Sequence, residues 1–286
     1  MTTAFVLTGG GSLGAVHVGM LEALYERGIA PDLIIGTSAG AINAAYIATR
    51  PQQPATAQSL GEVWRGLRRS DIFPLDLAVG LFGFLGRKTH LIPNRALKRL
   101  LTAHLQITDL EQASVPLHVI ATDARTGEEV RLSTGPAKEA VLASAALPGI
   151  FPTIPWQGRQ LIDGGIANYA PMSHAVALGA DTVYVLTSGT ACALPEAPQG
   201  AIALLLHSTS FLVARRLVTE IDRLQDETNL IVLPPPCPLS VAPHDFTQAT
   251  ELITRSLDLT RNHLAQVDRV GVAPIPHHLS RLGHQR

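Results

Sequence analysis

The sequence predicts an α/β domain built on a mainly parallel sheet, and three observations carry that expectation. Short β-branched or apolar runs alternate with longer segments whose apolar residues recur at helical spacing, the pattern of strand–helix–strand units. Glycine clusters at Gly9–Gly11 and Gly36–Gly40 stand where such strands pass into helices. The 286 residues, 46% hydrophobic and 16% charged, suffice to bury a core and contain no repeat or low-complexity tract.

The elements follow in order. Residues 4–8 read as a strand closed by glycines. Residues 15–27 read as a helix with Val16, Met20, Leu21 and Leu24 on one stripe and Gly28 as its stop. A second strand is expected over 33–37 and an alanine-rich helix over 39–49. Further strands are expected over 117–122, 160–163, 182–187 and 230–233, with helices around 56–68, 94–104, 138–146 and 170–178. Pro234-Pro235-Pro236-Cys237-Pro238 resembles a stiff connector to a final helix near 246–267. One catalytic domain over 1–270 is expected, then a loose tail over 271–286 whose His277, His278 and His284 read as incidental.

Bulk charge removes several functions. Twenty-two Lys and Arg against 23 Asp and Glu give a net charge of -1, which offers no footprint for nucleic acid and no polybasic run for anionic lipid. The N-terminus lacks the positive and apolar regions of a signal peptide. No run reaches the roughly 18–20 apolar residues of a membrane span. A cytoplasmic chain, at most peripheral to a membrane, is expected. Cys192 and Cys237 sit in no metal-ligand spacing and read as unpaired.

Gly9-Gly10-Gly11-Ser12-Leu13-Gly14 fits the dinucleotide fingerprint in outline. That fingerprint also wants an acidic residue at the end of the second strand, about 20 positions on. Asp32 instead precedes its strand, so the nucleotide reading loses its second half. Consecutive glycines at a helix N-terminus can also aim backbone N–H groups at an anion, including the oxyanion of an attacked carbonyl.

The second strand runs into Gly36-Thr37-Ser38-Ala39-Gly40 and then a helix of small residues. This is G-x-S-x-G in the strand–turn–helix setting that makes Ser38 a candidate nucleophile. Residues two positions either side must lack bulk, and the hydroxyl stands at the positive end of a helix. Ser38 needs a base. A histidine triad would draw on His174, His207, His244 or His263, none in a recognisable catalytic setting. The other option is Asp163, ending a strand before Gly164-Gly165, although Asp-Gly-Gly is also an ordinary turn. With a reference pKa near 3.9, an aspartate makes a weak base unless desolvated.

Four separated blocks, in order, resemble the patatin-like phospholipases. They are residues 9–14 with the following Ala15-Val16-His17-Val18-Gly19-Met20-Leu21; Gly36-Thr37-Ser38-Ala39-Gly40; Ala143-Ser144-Ala145-Ala146-Leu147-Pro148-Gly149-Ile150-Phe151-Pro152; and Asp163-Gly164-Gly165. The resemblance spans roughly residues 5–170. It implies a three-layer α/β/α fold and a Ser38–Asp163 dyad without histidine. Gly10 and Gly11 would form an oxyanion hole, with Gly9, Gly14, Gly36, Gly40, Gly164 and Gly165 as motif positions. Fatty acyl esters would be hydrolysed through an acyl-enzyme, as by a carboxylic-ester hydrolase, with no cofactor and no metal. The resemblance implies a phospholipase A or carboxylesterase type; the family often carries Arg or Lys where Leu13 stands, so the headgroup stays open and acyl ester is the expected substrate class. His17 and Ser144 read as structural.

The apolar, glycine-punctuated stretch 71–86 reads either as a packed segment or as a lid or acyl channel, with residues 72–86 touching a membrane surface transiently. Competing readings are an acyltransferase or thioesterase using the same Ser38, and a non-catalytic lipid-binding or regulatory module. The malonyl-transfer type usually has His before its serine, where Thr37 stands here.

Overall fold

Strand β1 (Thr3–Leu7) is covered on both faces. Phe5 and Leu7 join one apolar cluster and Ala4 and Val6 the other, as the two-residue period of a strand requires. The structure, a computed structural model, describes residues 1–74, 79–80, 85, 89–189, 199–237, 239, 241–242 and 244–270. Beyond β1 its strands are β2 (Leu33–Thr37), β3 (Leu117–Asp123), β4 (Glu129–Leu132), β5 (Ile154–Trp156), β6 (Arg159–Asp163), β7 (Thr182–Leu186) and β8 (Asn229–Leu233).

They form one sheet in the order β5-β6-β3-β2-β1-β7-β8, with β4 also paired to β3. The run β3-β2-β1-β7-β8 is parallel, and the pairs involving β4, β5 and β6 are antiparallel. From β1 the chain winds outward through β2 and β3, then returns at β7 on the other side. The winding therefore reverses at β1, where open α/β sheets form a crevice at the carboxyl ends of their strands. Leu7 is level with Gly36 of β2 and Leu186 of β7, so three chain segments leave the sheet together at that edge.

Nine helices are described: α1 (Val16–Glu26), α2 (Ala39–Ile47), α3 (Pro54–Gly66), α4 (Arg69–Ile72), α5 (Arg95–His104), α6 (Ala137–Ser144), α7 (Met172–Ala177), α8 (Ala201–Leu224) and α9 (Ala249–Val270). Leu21, Ala44, Leu60, Leu97, Val141 and Leu252 bring α1, α2, α3, α5, α6 and α9 into the cluster on the Phe5 and Leu7 face. Met172 of α7 with Leu217 and Ile221 of α8 covers the other face. The architecture is thus three-layered, helices over both faces of a mostly parallel sheet.

The expected strands stand within a residue or two of their predicted places. Two further strands and two helices do not follow from the sequence pattern. β4 is short and polar, Glu-Val-Arg-Leu, and draws its identity from pairing with β3. β5 contains Pro155, which an edge strand tolerates. α8 opens on an unbroken apolar run, and only its second half repeats at helical spacing through Leu217, Ile221 and Leu224; α4 has only four residues.

Cys237 is disulfide-bonded, which corrects the expectation of unpaired cysteines. A Cys pairing depends on tertiary proximity, which spacing alone does not reveal. Cys192, the tail over 271–286 and most of the 72–86 stretch lie outside the described residues. Among the described residues no helix is long and apolar enough to cross a membrane.

Candidate active site

Ser38 caps the N-terminus of α2 at φ 55° and ψ −124°, in the left-handed half of backbone space that a β-carbon makes costly. Surrounding packing holds it there. Gly40 lies against β1 so closely that a Cβ would stand 2.2 Å from the Leu7 carbonyl oxygen, so α2 can start here only with glycine at that position. Gly36 presses likewise on the Ala41 backbone. The Ser38 amide donates to Ser144 Oγ at 2.8 Å, fixing the turn from α6. Ser144 is thus a positioning residue, consistent with its structural reading.

The Ser38 hydroxyl donates to Asp163 Oδ2 at 2.6 Å. Asp163 ends β6, next to β3 and level with Ala121. Its Oδ1 accepts from the Gly165 amide at 2.8 Å, and its carbonyl accepts from Thr122 Oγ1 at 2.9 Å. Gly164 packs against the Ile120 carbonyl, where a Cβ would intrude. Ser38 and Asp163 are both buried. Burial pushes the Asp163 carboxyl up to about 6, against the pull of the hydrogen bonds from Ser38 and Gly165. Desolvation thus moves this aspartate toward the range of a useful base.

The first glycine loop leaves β1 beside this pair. Gly9 lies close enough that a Cβ on it would meet Ser38 Cβ at 3.2 Å. Gly10 and Gly11 have φ of 154° and 60°, and Gly11 lines the same cleft as Ser38. Leu13 is buried in the apolar core, so that position holds a packing residue.

Several members of the site were not read from the sequence. Ser188, just past β7, donates from Oγ to the Gly9 carbonyl and from its amide to Thr8 Oγ1 at 3.0 Å. Its Oγ also meets Tyr169 Oη at 2.9 Å. On the far side Asn43 of α2 donates to the Gly14 carbonyl at 2.9 Å and accepts from Trp64 Nε1 at 2.9 Å. The Asn43 amide also faces His17 Nδ1 at 3.2 Å. Burial holds His17 down to about 3, so its imidazole is neutral and packs the helix. Ser188 could be found only by knowing that β7 flanks β1. Asn43 left one trace, a lone amide in an alanine-rich helix. Of the candidate histidines, His174 is tied to Glu129 at 2.5 Å and His263 is buried on α9.

A cleft of about 780 Å³, counting its open mouth, begins at Gly11 and Ser38 and runs between α2, α3 and α5. Its walls include Ile42, Leu60, Trp64, Leu97, Leu101 and Phe151. Ile72 and Phe73, at the start of the expected lid, line it too; the rings of Phe73 and Phe151 stack 5.5 Å apart.

These features define a class: a parallel α/β fold that sets a serine on a strand–helix turn against a buried aspartate, beside a glycine loop and an apolar cleft. The chain belongs to the patatin-like phospholipase family, whose model matches residues 5–176. It is 33% identical over 193 residues to the Patatin-like phospholipase domain-containing protein 6 of Mus musculus, a match covering 66% of this chain and 14% of that protein. An uncharacterized NTE family protein of Mycobacterium tuberculosis is 33% identical over 193 residues, covering 65% of this chain and 49% of its own. Lysophospholipase NTE1 of Mycosarcoma maydis is 26% identical over 197 residues, covering 66% of this chain and 10% of its own. The chain therefore spans half or less of these relatives.

Proposed function

We propose that the protein is a serine acyl hydrolase that cleaves fatty acyl esters through an acyl-enzyme on Ser38. The observation that carries this reading is the 2.6 Å hydrogen bond from Ser38 to Asp163 at the head of an apolar cleft. Ser38 Oγ attacks the ester carbonyl while its proton passes to Asp163. Backbone amides of Gly10 and Gly11 receive the tetrahedral oxyanion, which the low local dielectric makes worth several kcal/mol. The alcohol leaves with the proton from Asp163. Water then attacks acyl-Ser38 as Asp163 takes its proton, the acyl–oxygen bond breaks, Asp163 returns the proton to Ser38 Oγ, and the fatty acid departs.

Several features support these roles. Asp163 is desolvated, which raises its basicity toward a hydroxyl. Ser38 stands at a helix N-terminus, which favours developing negative charge. Apolar walls suit an acyl chain rather than a charged headgroup, in keeping with the buried Leu13. Family membership and the Lysophospholipase NTE1 match favour a lipid ester as substrate. We propose a peripheral approach to the lipid surface through residues 72–86. A disulfide at Cys237 is of the kind that persists in oxidising compartments, which weighs against the cytoplasmic location expected from composition.

The test is turnover of 4-nitrophenyl esters by the unmodified protein and by Ser38→Ala. We expect Ser38→Ala to lose at least about a thousandfold in kcat and to escape labelling by a fluorophosphonate that modifies the unmodified protein. Turnover that survives Ser38→Ala would overturn the reading.

A further inference from the structure

We propose that Tyr46 ends the acyl cleft and acts as a ruler, limiting the bound chain to about 8–10 carbons by the rise of helix α2. This rests on the acyl hydrolase reading for its substrate but on separate residues for its geometry. Ser38, Ala39, Ile42 and Tyr46 all line the cleft; Ala39, Ile42 and Tyr46, three and four residues apart, share one face of α2, with Ser38 at its head. Tyr46 stands eight positions beyond Ser38, a path of about 12 Å at 1.5 Å per residue. An extended acyl chain advances about 1.3 Å per carbon, so that path accommodates about 8–10 carbons before the ring.

The other two walls meet Tyr46. Tyr46 Oη donates to Ser59 Oγ at 3.1 Å, one residue from the cleft-lining Leu60 of α3. His104, the last residue of α5, lines the cleft with its ring centroid 6.4 Å from that of Tyr46. Arg50 ties both helices together, donating to the Tyr46 carbonyl at 2.8 Å and the His104 carbonyl at 3.0 Å. Its guanidinium carbon lies 3.6 Å from the centre of the Tyr46 ring, a cation–π contact. The ring is therefore held by its hydroxyl and by its face. A chain too long for the cleft would have to displace a pinned aromatic ring and desolvate the arginine stacked on it.

The test measures calorimetric affinity of saturated fatty acids from C6 to C16 for Ser38→Ala protein, so that the ruler is read without turnover. Each added methylene should tighten binding about fourfold up to about C10 and then add nothing. In the same background Tyr46→Phe should keep that stop, and Tyr46→Ala should extend the rise by about two to four carbons, one ring's depth. Ile42→Phe, one helical turn nearer Ser38, should bring the stop down by about four carbons, which tests the ruler even if Tyr46→Ala does not fold. Affinity that keeps rising to C16 in Ser38→Ala overturns the proposal, as does a stop that neither Tyr46→Ala nor Ile42→Phe moves. Length-limited binding by a protein that hydrolyses no ester would support the ruler and remove the hydrolase reading.

Discussion

The two sides of Ser38 are built on opposite terms. Behind it, polar groups are fixed by hydrogen bonds reaching far along the chain: Asp163 on its hydroxyl, Ser144 on its amide, and Ser188 on the carbonyl of neighbouring Gly9. In front, the cleft offers mostly aliphatic and aromatic surface without directional bonds. Directional contacts make the rear unforgiving, because a buried polar group stripped of its partner costs about 1–3 kcal/mol. Non-directional contacts make the front tunable, since each lost methylene costs less than about 1 kcal/mol. Chemistry needs the first kind of wall and substrate choice the second.

Removing the charge behind Ser38 should break this contrast most severely. Asp163→Asn is expected to lose about 10³-fold in kcat while becoming more stable above neutrality. The sign follows from burial: the folded state holds the Asp163 proton up to about 6, whereas an unfolded aspartate releases it near 3.9. The folded state therefore binds more protons in that window, and stability falls as pH rises through it. Asparagine removes that penalty, so melting temperatures of the two proteins should converge near about pH 4 and separate near about pH 8. Over the same window kcat/KM of the unmodified protein should fall as pH drops through about 6, because protonated Asp163 cannot take the Ser38 proton. Equal melting temperatures at both pH values would show that Asp163 carries no burial penalty.

Ser144→Ala should have an intermediate effect. It leaves the buried Ser38 amide without its acceptor, at a cost of about 1–3 kcal/mol. Loosening the turn should lower kcat about 10- to 100-fold with little change in KM. A change in KM alone would place Ser144 on the substrate side. Smallest of the three, Leu100→Ala in the cleft wall should weaken kcat/KM for decanoate esters about 3- to 10-fold and leave acetate esters unchanged. Equal loss on both esters would mean that the front wall also holds the chemistry in place.

The front and rear also differ in how far the sequence discloses them. Ser38 is legible because its determinants are contiguous: an apolar strand, two flanking glycines and a small-residue helix within one short stretch. The sheet core is legible for the same reason, with β2 predicted over its full span. Asp163 is legible only as a strand-ending turn, and residue spacing leaves histidine open until the four blocks are taken together. Ser188 and Tyr169 reach the glycine loop only through the placement of β7 against β1. The cleft itself is spread over α2, α3 and α5, whose apolar faces look like ordinary packing stripes until the space between them is seen.

The order of strands bears on how much of the chain can stand alone. The stretch shared with the family ends at 176, before β7, yet β7 is the neighbour that closes the second side of β1. A fragment cut at that point would present β1 as a bare sheet edge, a surface prone to pairing with other chains. It would also lack the Ser188 clasp on Gly9. During synthesis Ser38 emerges well before this clasp, so the nascent chain carries its nucleophile long before the loop beside it can be set.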